Sequence, residues 1–285
     1  MSTATAETYL RESGLDVKSR VLIAPFTTLK VGGAADLFLE PTSIEQVRAI
    51  ASCSLPFRVL GCGANLLVRD EGVRGIVLRL SKLKKRSGLY VESGMSLTRL
   101  IKETVSEGLS GLECLAGVPA SVGGAIYMNA GGKHGEICDS VRFVDVFHEG
   151  EVERLTREEV GFQYRSTSLG DRIVLGVEFD LKPLSDVKDR YDEILAGKKS
   201  TQPLGSPNAG CMFKNPPGES AGKLIQDSGL CGARVNQVHV SQKHANFMIN
   251  DGGASSDDVL RLVDLVQNGV RKSFGIDLKL EVQIW

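Results

Sequence analysis

The sequence is poor in proline and aromatic residues, and it has no excess of charge of either sign. Its six cysteines form no C-x-x-C pair and its four histidines show no metal-ligand spacing, so neither a disulfide framework nor a metal site is expected. The 34 Lys and Arg nearly balance the 35 Asp and Glu, which argues against nucleic acid or an acidic membrane as a partner. Any anionic ligand must therefore be bound by local groups.

Long apolar runs are also absent. No stretch approaches the ~20 apolar residues that span a bilayer. Residues 1–10 lack the basic start and the apolar stretch of a signal peptide. We therefore expect a cytoplasmic protein with reduced thiols and no membrane partner. The sequence does not indicate an oligomeric state.

What the sequence does contain is the composition of a globular protein. It has 285 residues, of which 42% are hydrophobic and 32 are glycine. After Pro183 the pattern changes from mostly short β-type runs to helical segments and a Pro- and Gly-rich loop. This change predicts two domains, residues 1–184 and residues 185–285. Within the first, short β-rich runs predict strands at residues 36–40, 57–60, 65–68 and 75–80.

Helical spacing and caps predict the remaining elements. Helices are expected at residues 43–53, 96–107 and 256–274, each with a serine at its start. Residues 141–155 alternate on both sides of Glu149 and Gly150, which predicts a β-hairpin. Residues 276–284 alternate strictly between apolar and polar side chains and predict one terminal strand.

Two glycine-rich segments are candidates for ligand binding. Residues 61–65 form a glycine loop after a strand, but β-type sequence follows it, so a Rossmann site is disfavoured and an anion-binding nest of backbone N–H groups remains. The alternative is a simple turn between strands. Residues 116–132 contain five glycines, which would let the backbone approach a flat ligand. Their alternative is a glycine-rich crossover.

Residues 208–217 place a thiol, an ammonium and an amide close together. The reference pKa of a thiol is about 8.5, so Cys211 is a candidate general acid. The alternative is a buried, inert cysteine. Arg165, Glu281 and His244 are further candidates, although each taken alone is typical of a solvated charge or of a locally hydrogen-bonded histidine.

Taken in order, these segments resemble the family of UDP-N-acetylenolpyruvoylglucosamine reductases, flavoenzymes of bacterial peptidoglycan precursor synthesis and hence of cell-wall biogenesis, cell shape and cell division. The resemblance extends from about Thr27 to Glu281. It rests on segments at residues 28–33, 61–65, 116–132, 164–165, 209–216, 244–247 and 280–282.

The resemblance implies an α+β fold: a two-part FAD-binding domain of the vanillyl-alcohol-oxidase (PCMH) type, with subdomains at about residues 20–81 and 82–184, and a C-terminal α/β substrate-binding domain. It implies non-covalent FAD, NADPH as the reductant and UDP-N-acetylglucosamine enolpyruvate as the substrate. The last strand would return toward the flavin. Reduced FAD would pass a hydride from N5 to C3 of the enolpyruvyl group, giving UDP-N-acetylmuramate.

Site residues follow from the resemblance, position by position. Arg165 and Glu281 would hold the substrate carboxylate and its enolate, and Cys211 would protonate C2. The substrate-binding positions are Tyr164, Lys214, Asn215 and His244. The flavin-binding positions are Gly61, Cys62, Gly63, Ala64, Asn65, Leu66, Gly117, Pro119, Ser121, Val122, Gly123, Gly124, Ala125 and Asn129.

The chain departs from the family pattern in three places. Many members have serine at the position of Cys211, and a serine that commonly contacts the flavin is Ala64 here. The short spacing between Arg165 and Cys211 leaves no room for a tyrosine-bearing insertion, which indicates the shorter subtype. Two alternatives stay open: another flavin oxidoreductase on the same scaffold, such as an alcohol or hydroxyacid oxidase, and a sugar-nucleotide-binding protein without redox activity.

Overall fold

The structure, a computed structural model, describes residues 2–285. Its helices are α1 (Thr3–Glu12), α2 (Ile44–Ala51), α3 (Leu97–Ser106), α4 (Val122–Tyr127), α5 (Arg157–Val160), α6 (Val187–Thr201), α7 (Ala221–Asp227) and α8 (Ser256–Phe274). Its strands are β1 (Lys18–Leu22), β2 (Ala34–Leu39), β3 (Phe57–Leu60), β4 (Leu66–Leu67), β5 (Val73–Arg79), β6 (Arg86–Ser87), β7 (Tyr90–Glu92), β8 (Leu109–Ser110), β9 (Gly131–Gly132), β10 (Gly135–Glu136), β11 (Val141–His148), β12 (Glu151–Thr156), β13 (Ile173–Phe179), β14 (Lys182–Pro183), β15 (Arg234–Val235), β16 (Val238–Val240), β17 (Met248–Asn250) and β18 (Gln283–Ile284). Among residues 2–285, no helix has both the length and the apolar character needed to span a membrane.

The chain forms two compact units, each assembled from three segments. The first unit contains Met1–Ser19, Leu37–Cys62 and Gly75–Lys198, and the second contains Arg20–Asp36, Gly63–Arg74 and Lys199–Trp285. This division differs from the single boundary near residue 184 that the sequence suggests. The reason is packing: Leu29, Val31 and Leu67, all from the first quarter of the chain, are buried in the same apolar core as α7 and α8.

Most residues of the two main sheets belong to the first unit. One has the strand order β1-β2-β5-β3, in which β3 and β5 are parallel. The other is antiparallel, with the order β12-β11-β13-β7-β6. The first sheet contributes buried residues to one apolar core, and the second sheet contributes buried residues both to this core and to another. Helix α4 packs against β13 and β7 and therefore lies on the second sheet.

Local sequence rules account for the predicted elements that the structure confirms. In α3, the Ser96 hydroxyl accepts a hydrogen bond from the backbone N–H of Arg99 (3.4 Å), and the apolar face of the helix is buried. Strands β11 and β12 are joined at Glu149 and Gly150, whose φ angles of 48° and 91° suit a tight hairpin turn.

The second unit is built around α8. This helix begins after Ser255, ends at Gly275 in the left-handed conformation, and buries an apolar stripe that includes Leu262 and Val266. The small antiparallel sheet β15-β16-β17 and the parallel pair β4-β18 complete the unit. The predicted helix at residues 256–274 is confirmed residue for residue.

The predicted terminal strand is wrong in its extent. Only Gln283–Ile284 is regular strand, although Leu278 and Val282 are buried as the alternation suggests. The segment changes its partner along its length: Leu280 forms an isolated bridge with Phe213, whereas β18 pairs with β4. A segment whose pairing partner changes from one end to the other does not form one continuous ladder with either partner. Alternation of apolar and polar side chains does not reveal such a change.

Candidate functional site

The first glycine loop, residues 61–65, connects β3 to β4 in the structure. Gly63 has a φ of +63°, and a Cβ atom there would lie 2.4 Å from the carbonyl oxygen of Phe26. The backbone N–H of Thr28 donates to the Gly63 carbonyl (3.0 Å). A side chain at position 63 is excluded both by conformation and by space. The strand that follows the loop confirms that this is not a Rossmann site.

The backbone N–H groups of this loop point to a ligand. Within residues 2–285, those of Cys62, Gly63 and Ala64 donate to no protein acceptor. Cys62 is exposed, and Ala64 is half-buried and has no hydrogen-bonding side chain. Successive unbonded N–H groups are suited to an anionic or carbonyl acceptor. The loop therefore offers backbone donors in the place where the family serine is missing.

The second glycine segment contains α4. A Cβ atom at Gly61 would lie 2.7 Å from the hydroxyl oxygen of Ser121, so the first loop passes close to the start of this helix. The N–H groups at the helix start are already bonded: that of Val122 to the Met95 carbonyl (2.9 Å) and that of Gly124 to the Ser121 hydroxyl (3.2 Å). The start of α4 is therefore not an open phosphate site.

The other predicted flavin-binding positions differ in exposure. The side chains of Val122, Ala125 and Leu66 are buried in apolar cores, whereas Pro119 is exposed and Gly117 has a φ of +79°. A buried core side chain supports its neighbours by packing rather than by touching a ligand. Backbone atoms are the groups that these positions can present.

Asn129 and Arg165 lie together in the first unit. The guanidinium of Arg165 donates to the backbone carbonyls of Asn129 (3.3 Å) and Gly131 (2.7 Å) and to the Glu136 carboxylate (3.2 Å). The Asn129 carboxamide donates to the other Glu136 oxygen (2.7 Å) and to the Gln163 carbonyl (3.0 Å). With 14% of its side chain exposed, Arg165 is a largely buried cation held at several points.

Both residues have unusual backbone conformations. Asn129 has a φ of +42° and Arg165 a φ of +55°, in the left-handed region that side-chain-bearing residues seldom adopt. Such conformations cost of order 1–3 kcal/mol each and cluster at functional sites. Tyr164 is exposed, and the Arg165 guanidinium lies 4.9 Å from the centre of its ring.

Cys211 and Glu281 lie in neighbouring segments of the second unit. The backbone N–H of Glu281 donates to the carbonyl of Met212 (2.9 Å), next to Cys211 in the chain. The Asn65 side chain donates to the Glu281 carbonyl (3.1 Å). The structure thus places the candidate thiol and carboxylate, which are 70 positions apart, on paired backbone segments beside the end of the glycine loop. Cys211 and Glu281 are both half-buried, and Arg165 belongs to the other unit.

Asn246 fixes the loop that carries Cys211. Its buried carboxamide accepts from the N–H of Phe213 (2.9 Å) and donates to the carbonyl of the same residue (2.8 Å). Its own carbonyl accepts from the N–H of Met212 (2.8 Å). Asn246 therefore pairs with Phe213 as an additional strand residue would.

We expect Asn246→Ala to lower the free energy of unfolding by roughly 1–3 kcal/mol, because it leaves two buried backbone groups of Phe213 without partners. Urea unfolding at saturating FAD measures the difference. Asn268→Ala is the matched control: that side chain is on the exposed face of α8, and its removal changes stability by less than about 0.5 kcal/mol. Equal stability of both variants would contradict the role of Asn246.

Two of the predicted substrate-binding residues, Asn215 and His244, lie near the start of α7. The Asn215 side chain accepts from the N–H of Ala221 (3.0 Å), so in this structure it caps the helix. A Cβ atom at Gly222 would lie 3.2 Å from Cε1 of His244. Burial lowers the pKa of His244, and its Nδ1 accepts from the N–H of Asn246 (3.3 Å), so the neutral ring carries its proton on Nε2. Lys214 is half-buried.

Sequence reasoning does not assign a role to two residues of this region. Asn246 lies inside the motif of residues 244–247, but the sequence does not show that its side chain is buried against Phe213. Glu136 follows a glycine-rich stretch and carries no recognisable signal in the sequence. No metal-binding group of three His, Cys, Asp or Glu side chains occurs in residues 2–285, and the six cysteines form no disulfide there.

Two family profiles match the chain: "UDP-N-acetylenolpyruvoylglucosamine reductase, C-terminal domain" over residues 202–285, and "FAD binding domain" over residues 35–156. The chain is 38% identical to the UDP-N-acetylenolpyruvoylglucosamine reductase of Clostridium novyi, over 94% of this chain and 92% of that protein. It is 40% identical to the reductase of Listeria welshimeri, over 95% of both chains. The crystal structure of UDP-N-acetylenolpyruvylglucosamine reductase from Thermus caldophilus is similar with a TM-score of 0.87 and 40% identity, covering 95% of this chain and 99% of that one.

Proposed function

Because the chain belongs to the UDP-N-acetylenolpyruvoylglucosamine reductase family, we propose that it reduces the enolpyruvyl group of UDP-N-acetylglucosamine enolpyruvate to UDP-N-acetylmuramate with NADPH as the electron donor. The observation that carries the proposal is identity of about 40% to named reductases over nearly the whole length of both chains, combined with the same fold.

Membership of the family confirms several expectations directly. The chain is an FAD-dependent oxidoreductase. Its fold is the expected α+β arrangement, with an FAD-binding domain and a C-terminal reductase domain. Of the two alternatives, a protein without redox activity has no support from these comparisons.

The residues in the predicted flavin region fit FAD. The buried Oδ1 of Asn129 and the buried hydroxyl of Ser93 have no hydrogen-bond partner in residues 2–285, and such atoms are rare unless a ligand or water serves them. The Asn129 amide is oriented by its two donor contacts, so the unpartnered atom is an acceptor. FAD offers N–H and O–H donors for it, and flavin carbonyl or phosphate oxygens suit the N–H groups of residues 62–64.

When bound, FAD would take a hydride from NADPH and deliver it from N5 to C3 of the enolpyruvyl group. Hydride addition at C3 leaves an electron pair shared between C2 and the carboxylate, which is an enolate. The protein must then stabilise that negative charge and supply one proton to C2.

We propose Cys211 as the proton donor. A thiol loses its proton far more readily than an alcohol, which favours transfer to an enolate carbon. Cys211 forms an isolated β-bridge with Phe247, and Phe213 forms one with Leu280. These two bridges hold the loop of Cys211 in place. A proton donor on a fixed loop can meet one face of C2 reproducibly.

Arg165 and Glu281 are proposed to bind the carboxylate and the developing enolate, Glu281 in its protonated form, because an ionised carboxylate would repel both anions and has no proton to donate to them. The guanidinium is a permanent positive charge that is largely buried, which strengthens its interaction with a bound anion. The other proposed substrate contacts are Tyr164, Lys214, Asn215 and His244, and the last three are the candidates for binding the diphosphate. Lys214 supplies local positive charge that the nearly neutral chain lacks overall.

Anaerobic titration of the purified yellow protein tests the proposal. We expect NADPH to bleach the flavin absorption, and UDP-N-acetylglucosamine enolpyruvate to restore it with one equivalent of UDP-N-acetylmuramate formed per equivalent of NADPH. A flavin that NADPH bleaches but only oxygen restores would indicate the alternative oxidase and overturn the proposed substrate.

A further inference from the structure

We propose that Glu136 is a positioning residue of this enzyme: its two carboxylate oxygens hold the Arg165 guanidinium and the Asn129 carboxamide in a fixed mutual orientation. The inference rests on the proposed role of Arg165 in binding the substrate carboxylate. It adds a residue that does not touch the substrate but determines where a substrate-binding charge is placed.

Three hydrogen bonds form a closed ring among these residues. Arg165 Nη1 donates to Glu136 Oε1 (3.2 Å) and to the Asn129 carbonyl (3.3 Å), and Asn129 Nδ2 donates to Glu136 Oε2 (2.7 Å). Each member is held by the two others. In a ring of this kind the carboxylate is the only acceptor-only side chain, so both partners must turn their donors toward it.

The backbone is shaped to admit the Glu136 side chain. Strands β9 and β10 pair Gly131 with Glu136 in a short antiparallel hairpin. A Cβ atom at Gly131 would lie 2.7 Å from Cγ of Glu136, so only glycine leaves room for this carboxylate. The Gly131 carbonyl in turn accepts from Nη2 of Arg165 (2.7 Å). One hairpin thus supplies two of the acceptors that hold the guanidinium.

This ion pair is less exposed than a neighbouring ion pair at the surface. The side chains of Arg165 and Glu136 are 14% and 31% exposed, whereas the nearby pair Arg157–Asp139 is 45% and 57% exposed. A partly dehydrated, charge-assisted contact restricts motion more strongly than a solvated one. Arg165 and Asn129 both have left-handed backbone conformations, which cost free energy. The Glu136 carboxylate bonds to both of their side chains and so helps to fix the direction of each side chain.

Glu136→Gln is the informative substitution. It keeps the size of the side chain but turns one oxygen into an NH2 donor, which must then face either Asn129 Nδ2 or Arg165 Nη1, both donors themselves. We expect kcat for reduction of the enolpyruvyl substrate to fall about 10- to 100-fold, as a small misplacement of a binding charge does. The rate at which NADPH bleaches the flavin changes far less.

Glu153→Gln is the matched control. It makes the same chemical change in the same unit, at a carboxylate that pairs with Arg172 at 3.6 Å and is more exposed than Glu136. We expect this variant to leave kcat unchanged. Glu136→Asp is a second variant that keeps the charge but shortens the reach. We expect it to recover part of the lost kcat, since it can still hold one of the two donors.

A double-substitution cycle with Arg165→Lys separates positioning from a general structural role. If Glu136 acts through Arg165, Glu136→Gln has little further effect once Arg165 is lysine. Additive losses of kcat, or a Glu136→Gln enzyme with unchanged kcat beside an impaired Arg165→Lys enzyme, would overturn the inference about Glu136 alone. An Arg165→Lys enzyme with normal kcat would instead overturn the proposed role of Arg165.

Discussion

We expect the Cys211→Ala enzyme to accept electrons from NADPH at the normal rate but to reduce the enolpyruvyl substrate about 10²- to 10⁴-fold more slowly, the contribution of a well-placed general acid. The reason is that the enolate can form and be held without Cys211 but finds no proton for C2. Stopped-flow absorption of the flavin under anaerobic conditions measures the two half-reactions separately.

Two further variants make this result specific. Cys211→Ser retains substantial activity, since a hydroxyl can also supply a proton. Cys231→Ala is the matched control, because this thiol is half-buried in the same unit and has no role in the proposal. Equal loss of both half-reactions in Cys211→Ala would show that the thiol supports the flavin site in general, and its assignment as proton donor would then be wrong.

The second large effect is expected for Arg165→Lys, which should lower both kcat and kcat/KM for the enolpyruvyl substrate, the latter by roughly 10²- to 10³-fold, because the guanidinium stabilises the developing enolate as well as the bound carboxylate. The guanidinium reaches the carbonyls of Asn129 and Gly131 and the Glu136 carboxylate with two different nitrogens. An ammonium is one point charge on a flexible chain, so it cannot keep all three contacts and also hold a carboxylate in a fixed plane.

Steady-state kinetics with both substrates tests this prediction, with Arg157→Lys as the control. Arg157 forms an exposed ion pair with Asp139 (3.5 Å) in the same unit, and its replacement is expected to have no effect on kcat/KM. An unchanged kcat in Arg165→Lys would remove this residue from the mechanism.

Local features of the sequence predict local structure well in this chain. Serine caps and 3.6-residue spacing identify α3 and α8, because the first turn of a helix needs an acceptor for its N–H groups and its apolar face must be buried. The hairpin of β11 and β12 follows from two residues that accept positive φ angles.

Tertiary features escape the same reasoning. The Arg165 partners Glu136, Gly131 and Asn129 are 29, 34 and 36 positions away, and no spacing rule relates such distant residues. The strict alternation of residues 276–284 suggests one strand, but alternation records only which side chains are buried, not which neighbours supply the hydrogen bonds. Asn215 shows the converse: a residue predicted to bind substrate also caps α7.

The candidate site follows the same pattern. The sequence identifies the glycine loop and the loop of Cys211 because each has an unusual local composition. It does not identify Glu136 or the role of Asn246, since ordinary polar residues gain their significance from what the fold brings beside them. Motifs thus indicate the groups proposed to perform the chemistry, and the structure adds the groups that hold them.

The parallel pairing of β4 with β18 has a consequence for biosynthesis. These strands are separated by more than two hundred residues, and the backbone of Arg69 also bonds to that of Trp285. During translation, the early segment that contains β4 leaves the ribosome long before its partner exists. Contacts of such long range are slow to form and leave apolar surface uncovered meanwhile. The second unit of a nascent chain therefore cannot finish folding until β18 has been synthesised.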